Sequence, residues 1–146
     1  MPIDRFIGEY EFLSNFYPCD IHYDGYVYPS VEHAYQAAKT LNIDLRYQFM
    51  ISGSLTAGQA KREGKKLPLR NDWEDVKLDV MKMLVFQKFL KYELSEKLTA
   101  TSPHDLIEGN TWGDTYWGIC NGKGSNHLGK ILMDIRTEKL MSDILY

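Results

Sequence analysis

The segment PSVEHAYQAAK, residues 29–39, carries the most informative pattern of apolar and polar positions in the chain. Pro29 bars a helix from running in from before, Ser30 offers a capping oxygen, and Glu32 falls in the first turn, where the helix dipole favours a carboxylate. At about 100° per residue, Val31, Ala34, Tyr35 and Ala38 form an apolar stripe, while Glu32, Gln36 and Lys39 cluster on an adjacent face. Glu32 and Lys39 lie about 10 Å apart along the axis, at about 1.5 Å of rise per residue, so they flank a ligand more naturally than they pair. A solvated charged face would give the same pattern, and both readings stand at this point.

The flanking segments predict what presents this helix. From Phe6 to Phe16, FIGEYEFLSNF alternates only in part and then offers Ser14 and Asn15 as turn formers, which predicts a short strand and a loop. In CDIHYDGYVYPS, Asp24-Gly25 stands between Ile21, Tyr23 and Val27, Tyr28, a hairpin signal because a type I′ turn needs positive φ. The second strand of that hairpin feeds straight into Ser30, so a rigid hairpin would orient the helix. Asp44 is placed to cap a short helix through Phe49, ending near Gly53, and Thr56 to start another through Arg62 toward Gly64. From Asp72 to about Tyr92, Trp73, Val76, Val80, Met83, Leu84 and Phe89 or Leu90 follow a helical period and predict the central helix of the core. Leu94 to Thr101 predicts a further short helix, ended by Pro103.

After Glu108 the chain reads GNTWGDTYWGICNGKGSNHLG, dense in Gly, Asn and aromatic residues. It runs into a last amphipathic helix with Leu128, Ile131, Leu132 and Ile135 and a tail through Leu140 or Ile144. Glycine-rich backbone entering a helix N-terminus has the physics of a phosphate site, although a plain surface loop has the same composition. There is no repeat, low-complexity tract or linker. The expected architecture is one domain over residues 1–146, mainly α with a small antiparallel β-hairpin, in the α+β class.

Composition narrows the function. A chain of 146 residues, 44% hydrophobic and 25% charged, suits one soluble domain with its own core. Ten Tyr, six Phe and three Trp supply flat surfaces for packing or for stacking on a planar ligand. A net charge of −3 argues against gripping nucleic acid by non-specific phosphate attraction, and leaves room for a local basic patch. Lys61, Arg62, Lys65, Lys66 and Arg70 gather in KREGKKLPLR, as a solvated loop or as cations beside an anion. Arg70 stands out because Asp72 and Trp73 follow it.

Cys19 and Cys120 lie far apart without metal-ligand spacing, so reduced thiols and no structural zinc are expected. No apolar run approaches the roughly 20 residues that span a bilayer and no signal-peptide core is present, which points to the cytoplasm and to no membrane partner. Nothing forms a G-x-S-x-G elbow or a Walker A spacing, and no pair of His or carboxylates shares the short spacing of a catalytic zinc. The four histidines are scattered, and His33 reads as a structural polar residue. What remains is carboxylate and lysine chemistry.

FLSNFYP, the PSVEHAYQAAK helix, RNDWEDVKLDVM, DTYWG and GSNHLGKILMDIR occur in the order found in the NADAR, or YbiA-like, family. The resemblance runs from about Phe12 to Arg136. It implies an N-glycosyl hydrolase needing no cofactor, metal or obligate protein partner. Family members cleave ribose–nitrogen bonds, either in early riboflavin-pathway intermediates or in ADP-ribose attached to the guanine amino group of nucleic acid. The partner is then ADP-ribosylated nucleic acid or a phosphoribosyl-pyrimidine. The short single-domain form favours the first, and a non-catalytic NAD or ADP-ribose binding module is the alternative of a different class.

Carried onto this sequence, the resemblance makes Glu32 the general acid and base and Lys39 a second catalytic group near the ribose C1 carbon, with Asp114 a supporting carboxylate. Asn15, Phe16, Trp73, Trp117, Gly118 and Asn126 match positions around the pocket, and Tyr35, Gln36 and Arg70 complete the substrate-binding set. Trp73 is also well placed for burial at its helix start, and Arg70 and Asp72 for a salt bridge locking that helix to the preceding loop. A second Trp-Gly pair, Trp112-Gly113, precedes DTYWG; Trp117 is preferred because Asp114 stands just before it.

Overall fold

A computed structural model describes residues 1–145. It is mainly helical with a small antiparallel hairpin, as the pattern predicts. Contacts divide the chain into two compact units, Asn15–Lys88 on the one hand and Met1–Ser14 with Phe89–Tyr146 on the other.

In the Asn15–Lys88 unit, β1 (Ile21–Tyr23) pairs antiparallel with β2 (Tyr26–Tyr28) in the register Ile21↔Tyr28. Asp24 at φ 48° and Gly25 at φ 84° are both left-handed, as the tight turn requires. Helix α1 (Val31–Ala38) follows, and the Ser30 hydroxyl accepts the His33 N–H at 3.2 Å as its N-cap. Then come α2 (Ile43–Arg46) with a 3-10 turn at Tyr47–Phe49, α3 (Ala57–Gly64) and α4 (Trp73–Lys88). Thr56 and Gln59 form a reciprocal capping box at the start of α3.

All eight residues of α1 are buried, Glu32, His33 and Gln36 among them. The solvated-face reading of this helix is therefore ruled out. Polar side chains inside a core need partners there, since an unpaired buried polar group costs about 1–3 kcal/mol.

In the other unit, a 3-10 helix (Gly8–Leu13) leads the chain, followed after Phe89 by α5 (Tyr92–Thr99), β3 (Gly109–Asn110), β4 (Ile119–Cys120) and α6 (His127–Leu145). The expected stripe of Leu128, Ile131, Leu132 and Ile135 is buried. Phe12 meets Phe89 edge-on, with centroids 6.5 Å apart.

Several expectations are corrected. Residues 6–16 form no strand: Gly8 turns left-handed at φ 59°, and Phe12 and Leu13 are buried side by side, which a period of two forbids. Asn42, not Asp44, caps α2, accepting the Leu45 N–H at 3.3 Å, while Asp44 sits in the first turn. The central helix ends at Lys88 rather than near Tyr92; Met83 of its expected apolar stripe is exposed, and of the pair Phe89 or Leu90 it is Phe89 that is buried. A second pair of strands was not anticipated: β3 and β4 run parallel, two residues each, too short to leave a pattern.

Lys88, at the end of α4, is 1% exposed, with its ammonium 5.5 Å from the Tyr17 ring centroid. Burial pulls its pKa from the ordinary 10.5 down to about 7, with the nearby Cys19 opposing. Between those values only the unfolded chain carries the proton, so Lys88 makes stability rise with pH across that window, by up to about 1.4 kcal/mol per pH unit; below it both states are charged and the dependence flattens. Denaturant titrations from about pH 7 to about pH 9 should show this slope in the wild type and lose it in Lys88→Met. Equal slopes would contradict the assignment.

Candidate active site

The candidate residues of the Asn15–Lys88 unit converge on α1. Glu32, 7% exposed, is held at both its backbone and its carboxylate. Its N–H donates to the Asn15 carbonyl at 3.0 Å, which fixes the SNF turn against the start of the helix. Its Oε1 accepts from Gln36 Nε2 at 2.8 Å, one turn later on the same face. The Asn15 side chain reaches the Met81 sulfur at 3.5 Å, and Phe16 beside it is 43% exposed.

Gln36 is itself positioned by α3. Its Oε1 is buried without a hydrogen-bond partner, and a Cβ placed on Gly64 would collide with that oxygen and with the amide carbon that bears it. Ala60 and Gly64, one turn apart and both buried, give α3 a smooth flank here. Gly64 is helical, so Gly64→Ala should gain about 1 kcal/mol of helix propensity while displacing the Gln36 amide. Turnover should fall at least about tenfold, because a misplaced catalytic group loses its near-attack geometry. A melting curve at or above wild type with that loss isolates the steric effect; wild-type turnover would remove Gln36 from the machinery.

Lys39 is half-buried at the C-cap of α1, its Nζ 5.8 Å from the Tyr35 ring centroid. Tyr35 in turn packs on Trp73, centroids 5.2 Å apart and planes tilted by 54°. Burial is the main influence on the Lys39 amine and holds its pKa below the usual lysine range. The Glu32 carboxylate opposes this, and Lys65 and Lys77 reinforce it. Glu32 and Lys39 thus lie within electrostatic reach of each other.

Trp73 is 4% exposed, so it forms a wall behind Tyr35 rather than an open platform. Arg70 grips Asp72 with two hydrogen bonds, Nε–Oδ1 at 2.6 Å and Nη2–Oδ2 at 3.0 Å, and also donates from Nη1 to the Ala38 carbonyl at 3.4 Å. The salt-bridge reading of Arg70 is the one its geometry realises. His33 is structural too: its ring lies between Ser30 Oγ at 2.7 Å and the Leu55 carbonyl at 2.8 Å, and burial lowers its pKa, keeping it neutral.

The remaining candidates, Asp114, Trp117, Gly118 and Asn126, belong to the other unit. Asp114 Oδ1 accepts the N–H groups of Tyr116 at 3.1 Å and Trp117 at 2.9 Å, bracing the DTYWG turn from within. A Cβ on Gly118 would strike Glu108. Asn126, left-handed at φ 54°, joins the Glu108 N–H and the Leu106 carbonyl through its amide, each at 3.0 Å. Trp117 meets Tyr116 at 4.7 Å, and Tyr116 meets His127 at 4.5 Å. At the start of α6, the His127 and Leu128 N–H groups donate to the carbonyls of Tyr116 and Trp117, so these donors serve the loop and not an anion. Among the described residues no three His, Cys, Asp or Glu side chains group as a metal site, and no helix is long and apolar enough to cross a membrane.

Gly64, whose place in the sequence suggests only a helix stop, and Arg46 also shape the site. Arg46 is 2% exposed and bound to α1 through its guanidinium, yet in IDLRYQF it looks like any solvent-facing helix arginine. The only available signal was the small-residue spacing of Ala60 and Gly64.

Comparison with known proteins places this arrangement. The family model described as NADAR domain matches residues 5–140. The chain belongs to the NADAR family. Within it, the chain is 40% identical over 133 residues to N-glycosidase YbiA of Shigella boydii, covering 89% of this chain and 82% of that protein. It is also 40% identical over 131 residues to a riboflavin biosynthesis protein of Vibrio vulnificus, covering 87% of this chain and 35% of that much longer protein. The NMR structure of Escherichia coli YbiA matches with a TM-score of 0.82 at 35% identity, covering 100% of this chain and 90% of the other. The NADAR match runs through both units.

Proposed function

We propose that this NADAR chain is an N-glycosidase that hydrolyses a ribose–nitrogen bond, and that its substrate is ADP-ribose carried on the guanine amino group of nucleic acid. The observation that carries the reading is one buried helix bearing a carboxylate held by Gln36 and, two turns on, a lysine whose basicity is lowered by burial. Two relatives named N-glycosidase or riboflavin biosynthesis protein support chemistry on nitrogen-linked ribose. Lys65, within electrostatic reach of Lys39, adds positive charge that suits an anionic, phosphate-bearing substrate.

In this mechanism Glu32 gives a proton to the ribose ring oxygen as the ring opens, leaving an iminium carbon at C1. The neutral Lys39 amine adds there, the proton it then carries passes to the base nitrogen, the C1–nitrogen bond to the base breaks, and the resulting Schiff base is released by water that Glu32, now a carboxylate, activates. Asn15, Phe16, Tyr35 and Trp73, on the same unit as the carboxylate and amine, are assigned to substrate binding, and Asp114 keeps the supporting role that the family resemblance gives it. The rival route is an oxocarbenium-like transition state at which Glu32 directs water and no covalent adduct forms.

The second reading is hydrolysis of phosphoribosyl-aminopyrimidine intermediates, favoured by the name of the Vibrio relative. Purified protein offered both substrates, with release of ADP-ribose or ribose 5-phosphate followed, separates them. Turnover of the ADP-ribosylated nucleic acid is expected. Turnover of the pyrimidine alone would replace the first reading with the second, and ADP-ribose binding without turnover of either would make the chain a binding module.

A further inference from the structure

A helix leaves its last carbonyls without partners inside the helix, and they are usually met by solvent. At the end of α1 and just past it, four successive carbonyls, residues 37–40, accept from two arginines, that of Ala37 in addition to the Thr40 N–H. The Arg46 Nε donates to the carbonyls of Ala37 at 3.2 Å and Thr40 at 2.7 Å. Arg70 takes the two between, its Nη1 donating to Ala38 at 3.4 Å and its backbone N–H to Lys39 at 2.7 Å. Each arginine has an aspartate behind it: Asp24 accepts from Arg46 Nη1 at 2.9 Å, and Asp72 holds Arg70 in two hydrogen bonds. Tyr23 stands near both, its ring 5.2 Å from the Arg46 guanidinium and its side chain within electrostatic reach of Arg70.

This is a costly way to end a helix. Arg46 is 2% exposed, and its Nη2 is buried with no hydrogen-bond partner. Its partner Asp24 is 55% exposed and Asp72 47% exposed, so solvent screens both ion pairs, and the attraction does little to offset the cost of burying the Arg46 charge. What the arrangement does secure is geometry: it fixes the backbone of residues 37–40, and with it the Cα of Lys39. A lysine has four rotatable bonds, so an amine that must meet one carbon gains from an immobile base.

We propose that Arg46 and Arg70, backed by Asp24 and Asp72, are positioning residues that clamp the end of α1 and hold the Lys39 amine beside Tyr35. Asp24 is the first of the two left-handed residues of the β1–β2 turn, so the hairpin orients α1 from both ends: through Ser30 at the start and, by way of Arg46, through Asp24 at the finish. Loosening the clamp lets water reach the amine. Its other charged neighbours are Glu32 on α1, Lys65 just after α3 and Lys77 on α4, none of which the clamp variants alter. The inference rests on Lys39 having the chemical role proposed above, but its principal test does not.

The test is an NMR titration of the Lys39 side-chain resonances, assigned with Lys39→Arg, in wild type, Arg46→Lys and Asp24→Asn. Arg46→Lys keeps the charge but has one donor head for three acceptors. Asp24→Asn keeps an acceptor and tolerates positive φ, so it spares the fold. In both, Lys39 should titrate closer to the ordinary lysine range than in wild type. The acid limb of the rate profile should move up with it, and kcat should fall about tenfold to a hundredfold with KM little changed. Lys39 titrating as in wild type in both folded variants overturns the clamp, whatever the melting temperature does. Full turnover by Lys39→Met would instead overturn the chemical role of Lys39, leaving the titration to decide the clamp by itself.

Discussion

Glu32→Gln should lower turnover by about 10²-fold or more while leaving substrate affinity within a few-fold of wild type, the loss expected when a general acid–base group is removed. The substitution is close to isosteric, and the new amide oxygen can still accept from Gln36 Nε2, where the carboxylate now accepts at 2.8 Å. The backbone bond from residue 32 to the Asn15 carbonyl is untouched. What disappears is a group able to give and take a proton. The variant carries a second signature: the Glu32 charge now raises the Lys39 pKa, so its removal should shift the acid limb of the remaining activity to lower pH. A variant with wild-type turnover, or one that loses binding in step with turnover, would take the acid–base role away from Glu32. Unaltered affinity with no turnover in the wild type itself would instead favour the binding module.

Much of this region was legible because it is written in local chemistry. Ser30 as a cap, Asp24-Gly25 as a left-handed turn and Thr56 as the start of a helix each depend on residues within four positions of one another. The same holds for the apolar stripe of α6, a period the core reads directly. The clamp and the Gln36 shelf were not legible, because Arg46 reaches back to Ala37 and Asp24, and Gly64 lies against Gln36, across segments no periodicity connects. Residues 6–16 failed for a different reason: Gly8 at positive φ redirects a chain whose composition alone suits a strand. Asp114, expected as a supporting carboxylate, and Asn126, expected at the pocket, also close loops through Asp114 Oδ1 and the Asn126 amide, so these family motifs shape the backbone as well.

Lys39 should give the sharpest separation of mechanisms. If its amine attacks the opened ribose, borohydride added during turnover should reduce the Schiff base and leave a sugar adduct on Lys39, and the adduct should vanish in Lys39→Arg, whose guanidinium stays charged and cannot add to carbon. Lys39→Met should lose at least about 10²-fold in turnover. The pH dependence follows from the direction of the shift. Only the neutral amine is a nucleophile, and burial holds the Lys39 pKa below its ordinary range, so activity should climb with pH through that lowered pKa and then level off. On the oxocarbenium route the charged ammonium is the useful form, stabilising the departing group, and activity should fall over the same interval. The cation–π contact with Tyr35, Nζ 5.8 Å from the ring centroid, favours the charged amine and so works against the lowered pKa. Tyr35→Leu should therefore move the limb further down on the Schiff-base route. An adduct-free protein with normal turnover, or activity that declines where the amine becomes neutral, would leave Glu32 and water to break the bond without Lys39 as a nucleophile.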